Sequence, residues 1–180
     1  ITHAHSDHAR WGNNYYLCTT SAEPVIRYRL CNESKIESID YGKQININGV
    51  KFSFHPAGHI IGSAQIRAEY NGEVWVASGD YKIANDGISE PFESVKCDHF
   101  ITESTFGLPA FDWVPQEEIF EQINEWWRAN AEKGKVSIMG SYALGKAQRI
   151  INLVDHSIGE ILTHGAVEYT NKVLRKQGVK

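Results

Sequence analysis

Thr2-His3-Ala4-His5-Ser6-Asp7-His8 packs three imidazoles and a carboxylate into six residues, in the order His-x-His-x-Asp-His. If this segment leaves a strand in extended form, side chains alternate with period two and His3 and His5 project to the same side, where they can grip one cation. Asp7 and His8 are neighbours and cannot share that side, so they need a turn or a second cation to point at. Zinc accepts imidazole nitrogen and carboxylate oxygen at roughly 2.0–2.2 Å, and paired hydrolytic ions stand about 3.5–4 Å apart, a separation that so compact a cluster can serve. A tag remnant would be homopolymeric, whereas this run mixes a carboxylate in at fixed spacing.

A pair of cations needs more ligands than one segment supplies, and two further positions offer them. His59 lies in Ala57-Gly58-His59-Ile60-Ile61-Gly62-Ser63-Ala64, where flanking glycines allow the backbone to approach an ion closely. Asp80 follows the apolar run Val74-Trp75-Val76-Ala77 through Ser78-Gly79, which predicts a strand end on a glycine turn and a carboxylate placed to bridge two ions. Alone, a histidine after glycine reads as a loop residue and Gly-Asp as a plain turn. With the opening cluster they read as one centre.

The rest of the chain divides in two. From Tyr15 to about Glu103, short β-branched and aromatic runs alternate with turns, and Asn48-Gly49 and Asn71-Gly72 each separate two such runs as hairpin signals. One helix interrupts them, from near Ser21 with Pro24 in its first turn to about Leu30. Farther on, Ile119, Phe120, Ile123, Trp126 and Trp127 recur at helical spacing between Gln116 and Lys133, and Gly134 follows as a stop. Val136–Met139 then reads as a strand, Leu144–His156 as a helix, Glu160–Thr163 as a strand and Val167–Gln177 as a helix. Such alternation implies a parallel, Rossmann-like unit.

With 180 residues, 42% hydrophobic and 22% charged, the chain can bury a substantial core. No apolar run approaches a membrane span and no signal segment is visible, so neither a membrane nor secretion is implied. Cys18, Cys31 and Cys97 are odd in number and lack Cys-x-x-Cys spacing, which reads as free thiols in a reducing cytoplasm. A formal charge of −4 argues against a broad basic surface for nucleic acid. It leaves a nuclease open, because two divalent cations would add four positive charges where phosphate must sit.

This pattern resembles the metallo-β-lactamase superfamily. The resemblance implies that His3, His5 and His59 hold a first metal, Asp7 and His8 a second, and that Asp80 bridges them. It also implies two divalent ions as cofactors, zinc first and manganese as the alternative. Ile101-Thr102-Glu103-Ser104-Thr105-Phe106-Gly107 resembles the acidic motif that opens the β-CASP nuclease branch, and Ser141 to Arg149 resembles that branch's helix entry. Leu144-Gly145-Lys146-Ala147-Gln148-Arg149, with Ser6-Asp7-His8-Ala9-Arg10-Trp11-Gly12, is most similar to the exonucleases associated with DNA ligase. The implied fold is α/β: a partial metallo-β-lactamase αββα sandwich over residues 1–107, then the start of a Rossmann-like β-CASP domain over residues 108–180.

The implied activity is metal-dependent hydrolysis of nucleic acid phosphodiesters, in DNA repair or RNA processing, with DNA favoured over RNA as substrate and a DNA ligase as associated partner. Asp7, Asp80 and Glu103 are its catalytic candidates, Glu103 by tuning a ligand or a proton donor through a hydrogen bond. Family members also carry strands before the histidine loop and two histidines after the inserted domain. The chain therefore reads as a piece of a longer enzyme, and neither His156 nor His164 is assigned to those later roles.

The remaining candidates weigh less. Gly140-Ser141-Tyr142-Ala143-Leu144-Gly145-Lys146 fits Gly-x-x-x-x-Gly-Lys, but a P-loop next needs Ser or Thr and position 147 is Ala. Lys146 at a helix start is retained as a substrate-phosphate contact, against a plain surface lysine. His164 closes a strand and is retained as a substrate contact. Trp126 and Trp127 read as one core and one interface residue rather than a base platform, and His55 as a strand-end structural residue. Two rival functions stand beside the nuclease: a thioester or other small-molecule hydrolase on the same fold, and a non-catalytic nucleic-acid-binding module.

Overall fold

A computed structural model describes residues 1–30 and 34–179; Cys31 lies outside the described residues. The chain forms two compact units, residues 1–103 with 172–180, and residues 104–171. No helix among the described residues is long and apolar enough to cross a membrane.

The first unit is built on two sheets. β1 (Tyr15–Thr19) and β2 (Lys35–Ile39) pair in parallel, with α1 (Glu23–Leu30) as the connection that parallel neighbours require. Pro24 sits in the first turn of α1, where its missing N–H costs nothing, and Arg27 Nε donates to Glu23 one turn back at 2.7 Å. The second sheet runs in the order β3 (Ile45–Ile47), β4 (Val50–Pro56), β5 (Ala64–Tyr70), β6 (Glu73–Ala77) and β7 (His99–Ile101). Both expected hairpins form, because Asn48 and Asn71 adopt positive φ (52° and 51°) ahead of a glycine, as a two-residue turn demands. β7 then joins β6 in parallel.

Period-two alternation decides which faces meet. Phe54, Ile39 and Ala64 are buried together, flanked by Leu17, Tyr41, Ile45 and Ile66, so both sheets contribute to one core. On the other face of β4, Ser53 and His55 lie 3.1 Å apart and His55 Nδ1 lies 3.0 Å from Glu93. His55 thus ties a strand end to a later loop, the structural role its position implied.

The second unit contains α2 (Gln116–Ala131), α3 (Lys146–Leu153) and the start of α4 (Gly165–Lys176), all where apolar spacing placed helices. α3 begins two residues later than expected. Gln148 reaches back to accept from the Gly145 N–H at 2.7 Å, which fixes the helix start there, and Val154 turns extended at its end.

Two expectations fail in this unit. Residues 136–139 and 160–163 form no strand among the described residues, so the Rossmann-like alternation is present only in its helices. A strand exists through pairing, and neither segment has a ladder partner among the described residues: Val136, Ile138 and Leu162 are 87%, 85% and 84% exposed. The apolar runs are there without the neighbours that would turn them into a sheet.

Candidate metal centre

Three connecting segments of the first unit converge. The segment before His3 is fastened to both sheets, with Ile1 N donating to Leu17 O and the Ala64 N–H to Thr2 O, each at 2.8 Å. The chain does not stay extended. After His5 it turns, with the His8 and Ala9 amides donating to His5 O at 3.1 and 2.8 Å. The turn satisfies amides that an extended run would leave unpaired. It also brings the His8 ring back to 4.1 Å from the His3 ring, which answers how an adjacent Asp7 and His8 reach the same region.

His59 comes from the loop between β4 and β5. Ser63 Oγ accepts from the His59 and Ile60 amides at 3.0 and 3.2 Å, closing the loop under the imidazole. The flanking glycines serve a different purpose from the expected approach to an ion. A Cβ on Gly58 would stand 2.2 Å from Lys82 O and one on Gly62 2.4 Å from Ala22 N, both at positive φ, so protein backbone fills the space that they leave. Asp80 follows β6 through Ser78 and Gly79, as its sequence context implied.

Four side chains meet at one point. His3, His5, His59 and Asp80 offer ligand atoms that all lie within 4.8 Å of one another, a group that could hold a metal ion. His5 Nδ1 lies 3.1 Å from His3 Nε2 and 3.3 Å from His59 Nε2, while Asp80 Oδ2 lies 3.6 and 3.7 Å from the same two Nε2 atoms. A tetrahedral zinc with bonds near 2.1 Å has donor-to-donor edges of roughly 3.4 Å, which these four spacings approach. The other oxygen of Asp80, Oδ1, lies 3.4 Å from His8 Nε2, which in turn is 3.7 Å from Asp7 Oδ2.

The donors' electronic state agrees with that fit. His3 is wholly buried, and its pKa is lowered to about 2, first by burial and then by His8, His59 and His5. It is therefore neutral with a lone pair to give. The pKa of His59 is lowered mainly by burial and by His5, with Asp80 and Glu103 pulling the other way.

Thr2, a residue given no role from sequence, holds two of the rings. Its Oγ1 lies 3.2 Å from His3 Nδ1 and 3.3 Å from His8 Nδ1. With two lone pairs it can accept from both Nδ1–H groups, which leaves both Nε2 atoms free to face Asp80. Only its position beside the first histidine could have drawn attention to it.

Comparisons with known proteins bear on what this cluster belongs to. The chain is 27% identical over 183 aligned positions to a probable DNA ligase of Opitutus terrae, covering 99% of this chain. It is 33% identical over 124 positions to the endoribonuclease YSH1 of Yarrowia lipolytica, covering 68% of this chain, and 31% identical over 155 positions to an RNase J-like protein of Methanocaldococcus jannaschii, covering 82%. The chain belongs to the β-CASP branch of the metallo-β-lactamase superfamily. It spans 18%, 15% and 35% of those three relatives. No family model matches it. Among solved structures, a protein of unknown function from Enterococcus faecalis aligns over 72% of this chain and 38% of its own, at 12% identity and a TM-score of 0.53, a likeness of fold alone.

The other candidates of this β-CASP chain fall in two places. Glu103 follows β7, with its amide donating to Ser78 Oγ at 3.3 Å, and its charge is felt by His59. Asp7 is 65% exposed at the side chain, the most open member of the cluster's surroundings. Lys146 and His164 belong to the second unit: Lys146 opens α3 with Nζ 5.6 Å from the Tyr142 ring centre, and His164 precedes α4 with Nδ1 accepting from the Ala166 N–H at 3.2 Å.

Proposed function

We propose that this chain carries the metal centre of a two-metal phosphodiesterase acting on nucleic acid. The observation that carries the reading is Asp80, whose Oδ2 faces His3 and His59 while Oδ1 faces His8. A carboxylate with a separate set of donors at each oxygen is what a bridging ligand requires. His3, His5 and His59 would hold one divalent ion, Asp7 and His8 the other, with Asp80 between them; the histidine-rich donor set favours zinc, with manganese as the alternative. When bound, such ions lower the pKa of coordinated water and offset charge that builds on a phosphate.

The chain's own residues supply the rest. Asp7, at the open edge, accepts a hydrogen bond from the attacking water and fixes its direction. Glu103 counters the depression of the His59 pKa and steadies that ring. Lys146 and His164 are proposed contacts to the substrate backbone. In fold terms, residues 1–107 read as part of an αββα sandwich, supported by the core that both sheets share, and residues 108–180 as the opening of a β-CASP domain.

An exonuclease on DNA, working beside a ligase in repair, is the favoured form, on the likeness over nearly the whole chain to the probable DNA ligase; the endoribonuclease and RNase J-like names make RNA processing the alternative. Its compartment is the cytoplasm, a reading supported by the free thiols of Cys18 and Cys97. Labelled single-stranded DNA and RNA offered to the full-length protein test it. Cleavage that a chelator stops and added zinc or manganese restores is expected. Hydrolysis of acyl thioesters with both oligonucleotides left intact would reject it.

A further inference from the structure

Most of this protein's arginines are engaged. Arg27 pairs with Glu23, Arg67 with Glu69 and Arg128 with Asp155, and Arg149 donates to Gln116. Among the described residues, no carboxylate lies within ion-pair distance of Arg10 or Arg29. Those two line one hollow of about 370 Å³, and its other walls are Ser6, Ala9 and Trp11. Trp11 is 82% exposed. Ser6 and Ala9 belong to the turn that carries Asp7 and His8, so the hollow shares a wall with the metal centre.

Each feature has a chemical counterpart. A guanidinium without a carboxylate partner is ready to take phosphate oxygens, which it binds through paired N–H groups. An exposed indole offers an apolar face on which any nucleobase stacks. One ligand unit that presents both an anion and a flat ring is a nucleotide with its base unpaired. With a net charge of −4 on the whole chain, attraction for such an anion has to be local, and this hollow supplies it.

We propose that Arg10, Arg29 and Trp11 form a subsite for one nucleotide of a single-stranded substrate, the guanidinium groups on phosphate and the indole on the base. It rests on the nuclease reading and adds to it how the strand is held beside the metals. An acidic peptide would use the two arginines and leave Trp11 idle.

Anisotropy of a fluorescein-labelled oligothymidylate, added to the full-length protein in chelator, reads binding without turnover. Arg10→Gln and Arg29→Gln are each expected to weaken it about tenfold. Together they flatten the slope of log affinity against log salt by about 1.4, or about 0.7 per phosphate. Trp11→Ala weakens binding about tenfold, Trp11→Phe restores most of it, and neither changes binding of an abasic oligomer of equal length. Lys43→Gln, an exposed charge elsewhere, leaves binding unchanged.

Wild-type affinity and salt slope in the double arginine variant would overturn the subsite, as would an equal Trp11→Ala loss on the abasic strand or a polyglutamate peptide that competes as well as the oligonucleotide. Because the readout is free of metal, such a failure leaves metal content and cleavage, and with them the nuclease reading, untouched. Absence of metal-dependent cleavage with these binding results intact would count against the nuclease reading alone.

Discussion

The two sides of Asp80 are built differently. Toward Oδ2 stand His3 and His59 with His5 beside both, fastened by the segment before His3 and the β4–β5 loop, and His3 is fully buried; toward Oδ1 stands His8, with a largely exposed Asp7 beside it. Burial strips water from His3 and holds its donor at a spacing that suits an ion before one arrives. Among the described residues, the second side has fewer donors, and one of them is open to water. On the proposed two-ion reading, the contrast teaches that His3 organises one side for retention of an ion while Asp7 leaves the other open to water and substrate.

The largest effect is expected from Asp80→Asn, which weakens both sides at once. Cleavage by the full-length enzyme should fall about a thousandfold or more, several kcal/mol of lost stabilisation, while the far-UV spectrum and melting curve stay near wild type. Retained turnover in a metal-clean assay would break the contrast, since neither side would then need the carboxylate between them. Thr2→Val comes next. It keeps the shape and removes the oxygen between His3 Nδ1 and His8 Nδ1, so metal affinity measured by competition with a chromogenic chelator should drop about 10–100-fold.

Gly62→Ala separates the sides further. Its Cβ would meet Ala22 backbone and its φ is +78°, so the His59 loop must shift, at a cost of about 1–3 kcal/mol in denaturant titrations, and the buried side should lose metal before the open one. Unchanged stability would show that the loop yields freely.

The smallest effect lies away from the centre and serves as its control. The Ser38 hydroxyl donates to Glu23, and this bond, with Arg27 nearby, lowers the carboxyl's pKa from 4.5. A depressed folded value means stability that is present above about pH 4.5 and lost as pH falls through the folded pKa. Ser38→Ala should therefore move the acid unfolding midpoint to higher pH, with metal content at neutral pH unaltered. An unmoved midpoint would show that Glu23 contributes nothing to acid stability.

Much of this molecule is legible in sequence where the cause is local. Asn48-Gly49 and Asn71-Gly72 dictate hairpins through their own dihedral angles, and α1 and α2 follow from spacing and from Pro24 and Gly134. His3, His5, His59 and Asp80 can be picked out by residue type and setting, and the structure gathers all four. What sequence could not give depends on partners far along the chain. Thr2 matters only because His8 folds back beside His3, and Gly58 and Gly62 matter because Lys82 and Ala22 pass within touching distance. Residues 136–139 and 160–163 have strand composition, yet composition supplies no neighbour to pair with.

Metal counting by elemental analysis tests the centre most directly, on the full-length protein and its His8→Ala and His59→Ala variants, each dialysed against the same limiting zinc. Two ions per chain are expected in the wild type, one in His8→Ala with the buried side still filled, and one at most in His59→Ala, on the open side. Equal metal content in all three proteins would contradict a shared pair of ions held on opposite oxygens of Asp80.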